Sequence, residues 1–357
     1  MSIIIFLLAL GILQLIGTLT TYWALKNLSC KRSFSCKEAF EGEEGQLVEE
    51  VRNDGPFLIP WARLESYIGT GLQLGRKSSV DVSNDTHYCS CFTLMPYQQI
   101  RRRHYVKFVR RGIYDLGNTA MSVGNILGIA RFTKDFQLST QVTVYPQILD
   151  EEDLPFPMTQ VLGELVTKNR LQQDPFMIRS IRPYQPGDLI RDIHWQATAR
   201  TEEVQVAVHD NTVYPRMLVV LNAQHQDNQW DNYIRQEDIP YVEQGIRLAA
   251  SMCVYGIQNG LEVGFAVNMP QSRGGESTVV LPSGGMDRRD TLLHHFAQLQ
   301  NHCSEKFIPL LRSLNSCRDL DIVVLSRYDS DGIRKEIREL ERSGNRVTFC
   351  LTEGGAL

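Results

Sequence analysis

The sequence predicts an α+β multidomain protein with an N-terminal transmembrane helix, a small antiparallel β domain and a following α/β domain. Three observations carry this. Residues 3–25 hold no charge. From about Ser33 to Val144 apolar residues alternate with period two between turn residues, and from Arg216 onward short apolar runs alternate with segments of helical period. With 357 residues the chain exceeds one ordinary core. The boundaries fall at 1–26 for the anchor, 33–147 for the β-rich domain, 148–215 for a joining segment and 216–357 for the α/β domain.

The first segment is long enough to cross a hydrocarbon layer of about 30 Å. Gly11, Gln14, Gly17, Thr18, Thr20 and Thr21 dilute its hydrophobicity, but hydroxyls can bond back to helix carbonyls. Tyr22 and Trp23 stand where an interfacial aromatic anchor belongs. A basic leader and a small-x-small cleavage site are both missing, which favours an anchor over a cleaved signal. Lys26, Lys31, Arg32 and Lys37 follow at once, so the positive-inside rule places the soluble bulk in the cytoplasm, with the lipid bilayer as its first partner.

In the β region, runs at 46–51, 88–94, 105–109 and 141–145 read as strands, and Asn53-Asp54-Gly55-Pro56 as a turn. Gly69 to Gly75 reads as a loop. The basic run Arg101-Arg102-Arg103, with Arg110 and Arg111, reads either as a contact for anionic headgroups or as a solvated strand face. In the α/β region, 217–221, 261–267, 321–326 and 346–351 read as strands and 238–258, 287–303 and 331–343 as helices. Such alternation implies a mostly parallel sheet covered on both faces.

Composition bounds the function. Charged residues are 22% and hydrophobic ones 43%, a balance that folds in water, and a net charge of −4 offers no cationic field for nucleic acid. The eight cysteines are scattered, and Cys89-Ser90-Cys91 is too close for a zinc ribbon, so they read as inert thiols in a reducing compartment. No G-x-S-x-G elbow, H-E-x-x-H pair or Walker loop occurs. His194 beside Asp192 could act as a base and Cys303 or Cys317 as a nucleophile, but nothing in the sequence ties them together. His294 and His295 point about 100° apart on one helix and cannot share a metal.

The densest segment is Arg182-Pro183-Tyr184-Gln185-Pro186-Gly187-Asp188-Leu189-Ile190-Arg191-Asp192-Ile193-His194-Trp195-Gln196-Ala197-Thr198-Ala199-Arg200. Pro186-Gly187-Asp188 is turn chemistry. An arginine here can stack on Trp195 or Tyr184 while forking onto Asp188. Two roles stay open: a network that joins the flanking domains, or a surface that recognises an acidic partner or phosphate through Arg191 and Arg200.

The pattern R-x-Y-x-x-G-D-x-x-R-x-I-x-W-x-x-[ST]-A-R resembles the signature of the bacterial domain-of-unknown-function family 58, and Arg182, Tyr184, Gly187, Asp188, Arg191, Trp195 and Arg200 all match. Weaker matches are Phe40-Glu41-Gly42-Glu43, Arg111-Gly112-Ile113-Tyr114 and Val142-Thr143-Val144-Tyr145-Pro146. The resemblance implies membrane helices at the N-terminus, a β region, and an α/β domain of the von Willebrand factor A (Rossmann-like) type. It further implies a MoxR-type AAA+ ATPase as partner. A von Willebrand-type domain carries D-x-S-x-S for a divalent ion, whereas this chain reads Asn222-Ala223-Gln224-His225-Gln226. Without a carboxylate this degenerate set predicts no metal, although Asp227 and Asp231 lie nearby. The expectation is a non-enzymatic membrane-anchored scaffold or adaptor with no cofactor. Two alternatives stay open: a cell-envelope hydrolase or transferase, and a self-associating structural membrane protein.

Overall fold

The computed structural model describes residues 2–352 apart from 70, 76–86, 126–130, 139, 151, 153–177, 187, 202, 210–214, 228, 230–232 and 272–274. The chain divides into two compact units, residues 1–147 and 148–357.

In the first unit the apolar helix α1 (Ser2–Lys26) runs directly into a β-sandwich. Its strands are β1 (Leu28–Phe34), β2 (Glu38–Phe40), β3 (Glu44–Asn53), β4 (Ile59–Tyr67), β5 (Leu72–Leu74), β6 (His87–Leu94), β7 (Gln99–Phe108), β8 (Gly112–Asp115), β9 (Asn118–Gly124), β10 (Arg131–Gln137) and β11 (Gln141–Tyr145). They form sheets in the orders β1-β3-β7-β5, β10-β9-β4-β6 and β2-β11-β8. All described pairings are antiparallel except β2 with β11. One core joins Cys30 and Val51 of the first sheet to Ala62, Phe92 and Val123 of the second, and Ala24, Leu25 and Leu28 extend it into the helix. A second core packs Leu47, Val106 and Phe108 against Val142 and Val144 of the third sheet.

Several readings of the sequence are corrected here. The β region begins at Leu28, five residues before the expected boundary, because β1 alternates an unusual inward set: Leu28, Cys30 and Arg32 are buried. Arg32 is therefore a core residue as well as a flanking cation. The basic run does not form one face, since β7 alternation buries Arg102 partly against the Phe92 ring (4.1 Å) while Arg101 and Arg103 point to solvent. Arg111 is buried and Arg110 exposed. Gly69 to Gly75 is no open loop: β5 pairs with β7, and the phenol of Tyr114 lies so close that a Cβ on Gly71 would stand 1.7 Å from its oxygen.

Charge crosses the sandwich core. Glu49 of β3 and Arg32 of β1 are registered neighbours, bonded from Nε at 3.0 Å and Nη2 at 2.5 Å. The other carboxylate oxygen accepts from the Tyr88 hydroxyl at 2.9 Å and lies 3.2 Å from His104 Nε2, while Arg32 also donates to Thr119 of the opposite sheet at 3.2 Å. Burial by itself would raise the Glu49 carboxyl; the His104 hydrogen bond and the Arg32 charge outweigh it and hold the group below the usual carboxylate range.

The second unit holds a hairpin, β12 (Ile178–Pro183) with β13 (Gln205–His209), and a five-stranded sheet. The sheet consists of β14 (Arg216–Leu221), β15 (Glu262–Val267), β16 (Thr278–Ser283), β17 (Asp321–Ser326) and β18 (Arg346–Leu351), in the order β16-β15-β14-β17-β18. Four strands are parallel and β16 is an antiparallel edge. Trp195–Thr201 (α2) follows β12; α3 (Ile239–Gln258), α4 (Arg288–Gln298), α5 (Phe307–Ser313) and α6 (Asp331–Arg342) lie among the sheet strands. Expected strands and helices here fall within a few residues of those observed, with two differences. Helix α4 stops at Gln298, short of Cys303, because Leu299 turns extended (φ −57°, ψ 130°). The edge β16 and helix α5 were not anticipated.

Glu49→Gln leaves Arg32 buried without a counter-charge and should cost the β unit about 3–5 kcal/mol. Because the folded carboxyl lies below its unfolded value of about 4.3, the stability it contributes is complete above that pH and is lost as pH falls through the folded value. Hydrogen-exchange protection of β3 and β7 in the detergent-solubilised chain should fall sharply in acid for the wild type and much less steeply for the variant. Gly71→Ala should cost about 1–3 kcal/mol through overpacking, measured in the same way, and Tyr114→Ala in the same chain should recover part of it.

Candidate interaction surface

The signature segment lies in the second unit, running from the end of β12 through a 3-10 turn at Ile190–Asp192 into α2, ahead of β13. Half of its residues build its shape. Arg182 forks onto Asp188 at 2.8 and 2.7 Å, and Asp188 Oδ2 also accepts from the Gln185 N–H at 2.8 Å, so the arginine holds this carboxyl below its ordinary value. Gly187 lies outside the described residues. Tyr184 N donates to Val204 O at 2.8 Å, closing the base of the hairpin.

His194, considered above as a base, is an N-cap. Its Nδ1 accepts from Ala197 N at 3.1 Å in the first turn of α2, and its own N–H donates to Gln205 O at 2.8 Å. Thr198 Oγ1 donates to His194 O and accepts from Gln205 N at 3.0 Å. These bonds fix the helix against β13.

The other half is displayed. Ile181, Tyr184, Leu189, Ile190, Trp195 and Val204 are all exposed, Ile190 at 75% and Trp195 at 69%. Arg191 projects with its Nε 3.6 Å from Asp192, and Arg200 is exposed in the last turn of α2. The stacking expected from the sequence is not formed: among the described residues no cation lies over Trp195 or Tyr184, because Arg182 turns to Asp188 and Arg191 to Asp192.

The strand-end position follows β14, where the sheet order reverses between β14 and β17, a usual place for ligands in α/β sheets. Asn222 Nδ2 donates to Ser326 Oγ at 3.0 Å and its Oδ1 accepts from Gln224 N at 3.0 Å. Gln224 Oε1 accepts from Phe307 N at 2.7 Å, and Asn268 Oδ1 from Ala223 N at 2.8 Å. Gln226 is exposed in a turn, Asp227 is exposed, and Asp231 lies outside the described residues. The amide oxygens that could face a cation are thus engaged in fastening loops, and among the described residues no carboxylate is bonded with them. This donor set does not fit a divalent ion.

Sequence reading missed a cluster beside this latch. Asp238 Oδ1 stands 2.8 Å from His225 Nδ1 and 3.3 Å from Arg327, which also meets His225 and lies 4.1 Å over the Tyr241 ring. These residues come from three elements, so spacing could not reveal them; only His225, next to the degenerate position, gave a signal. Among the described residues no Ser, Thr or Cys is bonded to His225. Cys303, considered above as a nucleophile, is buried, and burial pushes its thiol up to about 11. His295 bonds Gln271 at 2.9 Å and His294 bonds Gln298 at 3.0 Å, on separate partners.

No curated protein matches the sequence. Similar solved structures each cover about a third of the chain. A CARDB domain from Pyrococcus furiosus is 14% identical with a TM-score of 0.21, covering 33% of this chain and 94% of that one. A non-cellulosomal cohesin from Archaeoglobus fulgidus is 11% identical with a TM-score of 0.23, over 35% and 95%. Alpha-2-macroglobulin from Escherichia coli is 13% identical with a TM-score of 0.26, over 33% and 23%. Residues 180–293, from the signature hairpin through α4, match the family described as "Protein of unknown function DUF58".

Proposed function

We propose that the chain is a membrane-anchored scaffold or adaptor whose signature segment docks a partner protein, a MoxR-type AAA+ ATPase. The single observation that carries this is the display of six large apolar side chains between Ile181 and Val204, flanked by exposed Arg191 and Arg200. Soluble surfaces scatter such residues singly; a Trp, a Tyr and arginines gathered on a turn fixed by ion-pair and capping bonds fit an interface core with a charged rim. The latch at the ends of β14 and β17 supports a binding module of the von Willebrand A type in which amide bonds replace a metal. The uncharged, outward-facing N-terminal part of α1 supports a bilayer anchor, and the basic residues after it support a cytoplasmic soluble part.

The test is binding of the detergent-solubilised full chain to the purified MoxR-type ATPase of the same organism. Trp195→Ser with Ile190→Ser should weaken binding about tenfold or more, and Arg191→Ala with Arg200→Ala should remove most of its salt dependence. Equal binding by folded variants and wild type would take the signature out of the interface. Loss of self-association in place of ATPase binding would favour the self-associating structural reading.

A further inference from the structure

Four of the residues that dilute the hydrophobicity of α1, Gln14, Gly17, Thr18 and Thr21, share one partly or fully buried face with Ala24 and Leu25, recurring every three or four residues, while Gly11 is exposed and the partly buried Thr20 lies off that face. That face meets the hairpin of β9 and β10: Asn125 Nδ2 donates to Gln14 Oε1 at 3.3 Å, and the Asn125 side chain lies beside Gly17, 3.6 Å from where a Cβ would stand. One turn further on, the ring of Tyr22 meets Phe132 edge-on at 5.9 Å.

These contacts fix a depth. The stretch from Ile3 to Thr21 rises about 28 Å, the thickness of the hydrocarbon layer, and Tyr22 and Trp23 then stand at its edge. Gln14 and Gly17 therefore lie about 12 and 7 Å inside the edge, and Asn125 with them. The β unit carries interfacial chemistry next to these contacts. Arg131 and Gly124 are register partners, Trp61 lies flat over Gly124 (a Cβ there would be 2.2 Å from the indole), and the Arg131 guanidinium sits 6.0 Å from that ring. Indole and guanidinium side by side suit the headgroup layer, where one face is apolar and the other wet.

We propose that the end of the β unit bearing Asn125 is seated in the phospholipid leaflet beside α1, with Gln14 and Asn125 paired inside the acyl region and Trp61, Phe132 and Arg131 at headgroup level. This rests on the anchor reading above and adds that the β unit is held on the membrane and does not hang from a tether. A lone amide in hydrocarbon is costly, and the bond from Asn125 Nδ2 to Gln14 Oε1 offsets part of that cost.

Depth-dependent quenching tests it. The full chain with Trp23→Phe, Trp195→Phe and Trp230→Phe keeps Trp61 as its only indole; a companion keeps only Trp23. Both are reconstituted in phosphatidylcholine vesicles brominated near the glycerol end or deep in the acyl chain. The expected result is loss of Trp61 fluorescence comparable with that of Trp23, stronger for the shallow bromine. Gln14→Leu with Asn125→Ala should then reduce quenching of Trp61 and leave that of Trp23 unchanged. Quenched Trp23 with unquenched Trp61 overturns the seating and leaves the anchor standing, whereas no quenching of either overturns the anchor itself. Quenching of Trp61 untouched by the double substitution overturns the paired amides as its cause.

Discussion

A carboxylate is taken out of water only where opposite charge and hydrogen-bond donors replace its hydration, and Glu49 meets that demand with partners from three other strands. Arg32 arrives from β1, His104 from β7 and Tyr88 from β6, while Arg32 reaches on to Thr119 of β9. Each partner fixes the register of its strand, since a slip by one residue would turn it to the other face. The same register places Leu28 and Cys30 inward, and through them the last turns of α1 become part of the sandwich core. The position of the apolar helix against the β unit thus follows from how one buried charge is satisfied.

The second unit solves a related problem without charge. At the ends of β14 and β17 the loops are held by Asn222, Gln224, Asn268 and Ser326, each bonded to backbone or to another member. Here neutral amides serve as donor and acceptor at once. In the adjoining cluster the buried Asp238 holds the partly exposed His225 and Arg327, and Arg327 lies over the Tyr241 ring.

How much of this could be read from the chain depended on whether the physical cause was local. Runs such as Met217 to Leu221 and Asp321 to Ser326 are buried on both faces, so continuous hydrophobicity announced them. Helix α6 carried its Ser330 cap and the glycine that ends it. Strand β1 was illegible because its inward set includes Arg32, whose partners lie 17 to 87 residues away. Edge strand β16 contains a proline and pairs on one side only, which removes both usual signals. The signature was recognisable as a pattern, but its division into builders and displayed residues was not. His194 could be seen as an N-cap only once Ala197 was placed, and the expected stacking on Trp195 lost to the shorter-range bonds Arg182 and Arg191 make with aspartates.

That division bears on function. A residue pattern kept only for folding would be expected to turn its aromatic and aliphatic members inward, where burial of each large side chain contributes about 1.5–3 kcal/mol. Here the ion pair, the N-cap and the hairpin bonds suffice to hold the segment, and Ile190 and Trp195 are left in solvent. Leaving them exposed forgoes that burial energy in the isolated chain, and it is recovered only against another surface. Builders that are short and hydrogen-bonded, combined with displayed residues that are large and apolar, are the arrangement expected of a preformed docking site, since little ordering remains to oppose association. In α1, Gln14, Gly17 and Thr21 face the β unit and the aliphatic side chains from Ile3 to Leu13 face outward, so the polar positions toward the middle of the helix are matched by protein and its free apolar end is left for another medium.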